Sequence, residues 1–226
     1  MKRLLFFAVV ALISMTASAK SEIQVKDYTV GEFTQLVVNG PIRVELTQSS
    51  TNSVSVESNA IENVDVQCLG GVLLLSVNTK GTVGYYVFKA TISAKVLDKI
   101  TITRAAVLNV ADDFRATDMV ITAKSASTVY FRPQCSLLDV KAGDASKVVL
   151  TGNADTFTLR CTEASNCQAQ FLKASSADVY CDGASEAVVN VDTLSAQAHS
   201  ASKVTYIGKP LITKQETSFA SSIVAQ

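Results

Sequence analysis

Three acidic residues recur at even intervals in the second half of the sequence: Asp144, Glu163 and Asp182, each 19 positions after the last. Carboxylates held close together repel one another, which raises their pKa values or invites a cation. A calcium site needs about six or more oxygen ligands. The residues around the three supply no such set, so a solvated turn is the simpler reading, and Asp144, Glu163 and Asp182 remain candidate ligand contacts. A second group sets Asp139 and Asp178 beside Lys141 and Arg160. An acidic cluster with a Lys or Arg base would suit a polysaccharide lyase or a hydrolase. Cross-strand charge pairing explains the same residues, at no more than about 1 kcal/mol per pair, and a neutralised cation makes a poor base. His199 is the only histidine. It has no Ser and Asp companions at a spacing that suggests a triad. Five cysteines, an odd number with no Cys-x-x-Cys, leave zinc almost without ligands. No catalytic residue, metal site or cofactor is assigned.

These groups gain a geometry only from the elements that carry them. Ser127, Ser146, Ser165, Ser185 and Ser202 each follow an alanine, at steps of 19, 19, 20 and 17 residues. Ala106 takes the serine place one step earlier. Four residues before each serine stand Ala123, Ala142, Cys161, Cys181 and Ala198, and two after stand Val129, Val148, Cys167, Ala187 and Val204. The columns two further out on each side are also apolar, and those between are mostly polar. Alternation on both sides of Ala-Ser predicts two short strands per repeat with the Ala-Ser as their corner.

Such a repeat is one coil of a β-solenoid, an all-β, right-handed parallel β-helix with about 19–21 residues per coil. Stacked coils turn equivalent residues into ladders about 4.8 Å apart. The corner alanine is expected to point into the bend, and the serine to bond its own backbone or the next serine. Cys161 and Cys181 fall in one inward column and Cys167 in another, so all three read as small core residues. A Cys161–Cys181 bridge stays open, because in-register side chains run parallel and fit disulfide geometry poorly. Three residues after each serine, Tyr130, Val149, Gln168 and Val188 form an outward strip, followed by Thr205. A flat, weakly charged face of this kind suits a glycan or protein ligand. Ordinary strand propensity explains it equally well.

The remaining segments follow from composition. Residues 1–19 carry Lys2 and Arg3, an apolar run and Ala17-Ser18-Ala19, the pattern of a signal peptide. Its removal leaves 18 basic against 20 acidic residues, a net of −2. That balance argues against nucleic acid and against an anionic membrane surface, and no later stretch is apolar enough to insert in a membrane. Residues 20–100 form an N-terminal β-rich half, 101–212 the regular coils, and 213–226 a C-terminal cap or tail. Phe219, Ile223 and Val224 in that tail would cover the last coil or join a second copy into a homo-oligomer.

The order FTQLVVNGPIRVEL (Phe33 to Leu46), GVLLLSV (Gly71 to Val77), ISAKVLDKI (Ile92 to Ile100), repeated Ala-Ser corners and SASKVTYIGKP (Ser200 to Pro210) resembles a known family. It is the secreted bacterial domain labelled "putative autotransporter adhesin head, GIN domain", and the resemblance covers residues 28–212. It implies a β-helical fold, export to the periplasm, cell surface or medium, and an adhesin-like role, with no catalytic motif to carry over. The family's corner has Gly two before the serine. Here only Gly183 supplies it, while Ser125, Asp144, Glu163 and Ser200 fill the other corners, which predicts less sharply bent corners there.

Overall fold

Alternating burial appears wherever the sequence alternates. The computed structural model describes residues 22–79 and 85–226; the signal segment 1–19 lies outside the described residues. The first strands are β1 (Gln24–Tyr28), β2 (Gln35–Asn39), β3 (Arg43–Gln48), β4 (Ser53–Ser58), β5 (Val64–Leu69) and β6 (Val72–Val77). Next come β7 (Phe88–Ala94), β8 (Lys99–Thr103), β9 (Val107–Asn109), β10 (Phe114–Arg115), β11 (Asp118–Ala123), β12 (Thr128–Phe131) and β13 (Pro133–Ala142). The last are β14 (Lys147–Cys161), β15 (Asn166–Cys181), β16 (Glu186–Ala198), β17 (Lys203–Ile207), β18 (Leu211–Thr217) and β19 (Ser222–Ala225). One short 3-10 turn, Ile61–Asn63, is the only helical element among the described residues. All 19 strands join one continuous sheet wound into a β-solenoid.

From β8 onward the ladder is parallel and in the expected register: Cys161 lies beside Cys181, and Val148 beside Cys167. Every residue of the two columns flanking the corner serines is buried. The three cysteines of these columns are buried free thiols. Burial drives the Cys167 thiol well above its ordinary value.

The corner differs from expectation in three ways. The alanine is exposed and the serine is buried, with Ser127, Ser146, Ser165, Ser185 and Ser202 each no more than 1 % exposed. The bend uses two consecutive residues at positive φ, the signature of a type I′ turn. In Asp144-Ala145 the angles are 54° and 59°, and in Glu163-Ala164 they are 57° and 58°. This geometry throws the second residue outward and the third inward. Corners without glycine are bent alike, since Ser125 at 55° and Ser200 at 53° match Gly183 at 65°.

A left-handed non-glycine residue costs about 1–2 kcal/mol. Repeated hydrogen bonds offset it. The N–H of Ala126, Ala145, Ala164 and Ala184 each donates at 2.8 Å to a carbonyl in the next corner. The serine hydroxyls saturate what the bend leaves unpaired. Ser146 Oγ donates to Ala123 O at 2.9 Å, one coil back, and Ser185 Oγ is shared between Cys161 O at 2.9 Å, also one coil back, and Asp182 O in its own turn. Ser165 and Ser202 instead donate within their own turns, to Thr162 O and His199 O, both at 2.6 Å. No serine bonds the next serine of the ladder.

The N-terminal coils do not stack in chain order. One face runs β5-β6-β2-β8-β11, and the other β1-β4-β7-β3-β9-β12. The β2-β3 coil is therefore held between β6-β7 on one side and β8-β9 on the other. β4 and β5 run antiparallel to their neighbours. Gly70 and Gly71, at φ 59° and 78°, make the two-residue turn that joins β5 to β6, a connection open only to antiparallel strands. At the other end, Phe219 and Ala220 repeat the corner angles, so residues 211–225 wind one further coil. Ile223 turns inward there, whereas Phe219 is 82 % exposed.

Candidate functional site

The outward strip assembles as a straight row. Tyr130 pairs with Val149, Val149 with Gln168, Gln168 with Val188 and Val188 with Thr205. The row extends beyond the residues read from the sequence, through Asn109 to Glu45 on one side and to Val224 on the other. Tyr130 and Val224 are its exposed apolar members.

The acidic corner divides. Asp144 and Glu163 occupy the first left-handed position of adjacent turns, whereas Gly183 takes that position in the next coil. Asp182 therefore sits one position earlier, in the row of His199 and Ser218. The Asp144 carboxyl beside Glu163 pushes the Glu163 pKa up, first by sharing a hydrogen bond and then by like charge. Asp182 is held below its ordinary value, chiefly by the Ser200 hydroxyl, with help from the Gly183 N–H at 2.8 Å and the nearby His199. No group of three or more His, Cys, Asp or Glu side chains among the described residues is placed to hold a metal ion.

The Glu163 shift has a sign. A carboxyl whose folded pKa exceeds its unfolded value stabilises the fold below that unfolded value, about 4.5 here, and the contribution is lost as pH rises through the folded pKa. Glu163→Gln is therefore expected to be at least as stable as the native chain at pH 7. Any advantage should vanish in thermal melts below about pH 4.

One expectation changes at the remaining charged groups. His199 does acquire a serine partner, from the adjacent coil: its Nδ1 lies 2.6 Å from Ser218 Oγ. The Asp182 carboxylate turns to Gly183 and Ser200 instead, so the three residue types of a triad stand in a row without its relay. The outer cations have partners. Lys141 Nζ is 3.0 Å from Asp139, and the Arg160 guanidinium lies 4.5 Å from the Tyr180 ring centre. Asp178 accepts from Ser195 Oγ at 2.9 Å.

The concave surface lies elsewhere, at the bend opposite the Ala-Ser corner. β15 and β16 pair through Ala169 and Val189, then resume at Lys173 and Asn190, so residues 170–172 overhang the shorter coil. Leu172 turns into the core and Phe171 stands 70 % exposed. Asn190 Nδ2 donates to Gln170 O at 3.3 Å and pins the overhang. A hollow of about 560 Å³ opens beneath it, lined by Gln168, Gln170, Phe171, Val188, Asn190, Ile207 and Gln226. A cleft of about 390 Å³ lies on the far side of Asn190, floored by Ala154 and Ala174. The outward strip thus runs into the hollow through Gln168 and Val188. Nothing in the residue types marks Phe171. The sequence signal was the irregular spacing, a step of 20 followed by one of 17.

The fold is a β-solenoid whose outer face is open and whose shallow hollow mixes amides with apolar side chains. The chain belongs to the family described as "Putative auto-transporter adhesin, head GIN domain", whose model matches residues 32–210. A solved structure from Bacteroides fragilis, described as a putative adhesin, superposes with a TM-score of 0.82 at 20 % identity, covering 91 % of this chain and 97 % of that one. A putative adhesin from Parabacteroides merdae gives 0.73 at 16 % identity, covering 92 % and 97 %. A putative lipid binding protein from Parabacteroides distasonis gives 0.71 at 15 % identity, covering 92 % and 98 %. At these identities the likeness is one of fold. Among curated proteins none matches the sequence. No helix among the described residues is long and apolar enough to cross a membrane.

Proposed function

We propose that the chain is an exported binding module that holds a glycan or protein ligand at the periplasm or cell surface. Contact is made through the outer face of β12, β14, β15, β16 and β17. The observation that carries this reading is the continuity of the straight Tyr130–Val149–Gln168–Val188 row with the hollow under Phe171. An extended row entering a shallow concavity suits a long ligand, whereas a small-molecule enzyme encloses its substrate in a deep pocket. The paired state of Lys141 and Arg160 supports binding over a lyase, which needs a free base.

The test is glycan-array and protein pull-down binding with two variants. Tyr130→Ala/Gln168→Ala is expected to weaken whatever ligand is found by about fivefold or more. Asp144→Ala/Glu163→Ala, on the corner, is expected to leave it unchanged. Loss of binding in the corner variant alone would move the site to the acidic edge, and no ligand in either format would end the reading.

A further inference from the structure

The cleft beyond Asn190 has a regular wall on each side. One wall is the in-register row Asn153, Lys173 and Asn190. The other carries Asp155, Ser175 and Asp192. Between them Ala154 and Ala174 keep the floor low, because only small side chains fill that row of β14 and β15. The trough therefore runs along the solenoid axis and offers planar amides, carboxylates and a hydroxyl once per rung, about every 4.8 Å. That interval is close to the length of one pyranose unit in an extended oligosaccharide. Vicinal sugar hydroxyls match groups that donate and accept side by side, as amides and carboxylates do.

Three further observations point the same way. Asp155, Lys173 and Asp192 enter no ion pair among the described residues, so they stand available to a ligand. Gln170 Oε1 is buried in the hollow wall without a hydrogen-bond partner, an arrangement a ligand hydroxyl would complete. Phe171 presents its ring at the lip, where a sugar's C–H face would stack.

We infer that this trough and the adjoining hollow bind a linear, uncharged oligosaccharide laid along the solenoid axis, with Phe171 as its stacking platform. The inference rests on the binding-module reading and names its ligand class. Two carboxylates against one lysine disfavour an anionic chain. A protein partner would want an apolar core to its contact, whereas the trough itself is lined by amides, charged groups, a hydroxyl and two alanines.

Calorimetric titration of the purified protein with cellohexaose, chitohexaose and maltohexaose tests the assignment. At least one is expected to bind. Phe171→Ala and Asp192→Ala should each weaken it about tenfold or more, Phe171→Trp should retain it, and Glu163→Gln should leave it unchanged. Phe171 and Asp192 are exposed, so thermal melts of these variants should match the native chain. Failure of all three hexasaccharides to bind overturns the inference, and so does binding indifferent to both alanine variants. A protein captured through Tyr130 and Gln168 with no saccharide binding would overturn it while leaving the binding-module reading intact.

Discussion

Replacing Gly152 by alanine is expected to destabilise the protein by about 3 kcal/mol or more, from backbone strain of ~1–3 kcal/mol and overpacking of ~1–3 kcal/mol. Gly152 has a φ of 135°, and a Cβ built there would lie 2.3 Å from Pro133 O. That obstacle is backbone, not the end of a flexible side chain, so relief requires moving one coil against another. The neighbouring coils resist, because immediately after Gly152 the parallel ladder ties Gln134 to Asn153 and Asn153 to Lys173. Urea unfolding of Gly152→Ala beside the native chain measures the cost. The same displacement would carry Asn153 away from the trough, so weaker hexasaccharide binding should accompany lost stability. A variant as stable as the native chain would mean that the coils slide past one another far more easily than an in-register ladder allows.

Phe157→Ala should cost about 3–5 kcal/mol. Phe157 is fully buried on β14, in the inward row Leu138–Phe157–Ala177. A large ring beside a small methyl is how that row fills its space, and truncation leaves two alanines facing one gap. The solenoid has little means to close it, since each coil is tied to its neighbours by the ladder above and below. Chemical denaturation checks the size of the effect, and a loss under about 1 kcal/mol would show that the coils collapse onto the vacancy. Leu138→Ala, the neighbour in the row, should fall in the lower Leu→Ala range of about 2–5 kcal/mol.

Much of the cross-section was legible in residues alone. The columns around Ser127, Ser146, Ser165, Ser185 and Ser202 alternate because a strand presents successive side chains to opposite faces, and this is a local rule. Their inward members are the buried ones. The corner was read with its two residues exchanged. Composition says that Ala-Ser is small and polar, yet the paired positive φ angles decide which of the two faces inward. Asp182 was grouped with Asp144 and Glu163 by even spacing, although the coil that holds it is one residue longer before its serine. That single residue moved it into the row of His199.

The sequence by itself determined the coil: its length, its buried columns, its outward strip and the membership of its family, all of which follow from short-range alternation repeated at a near-constant period. Only the tertiary structure decided which coil lies against which, with β2 and β3 held between two later coils. It also decided where surplus residues leave the ladder to raise Phe171 over its hollow. The physical reason is that alternation is settled between neighbours in the chain. Stacking order and register slips are instead settled between strands tens of residues apart, by hydrogen bonds that any backbone can make.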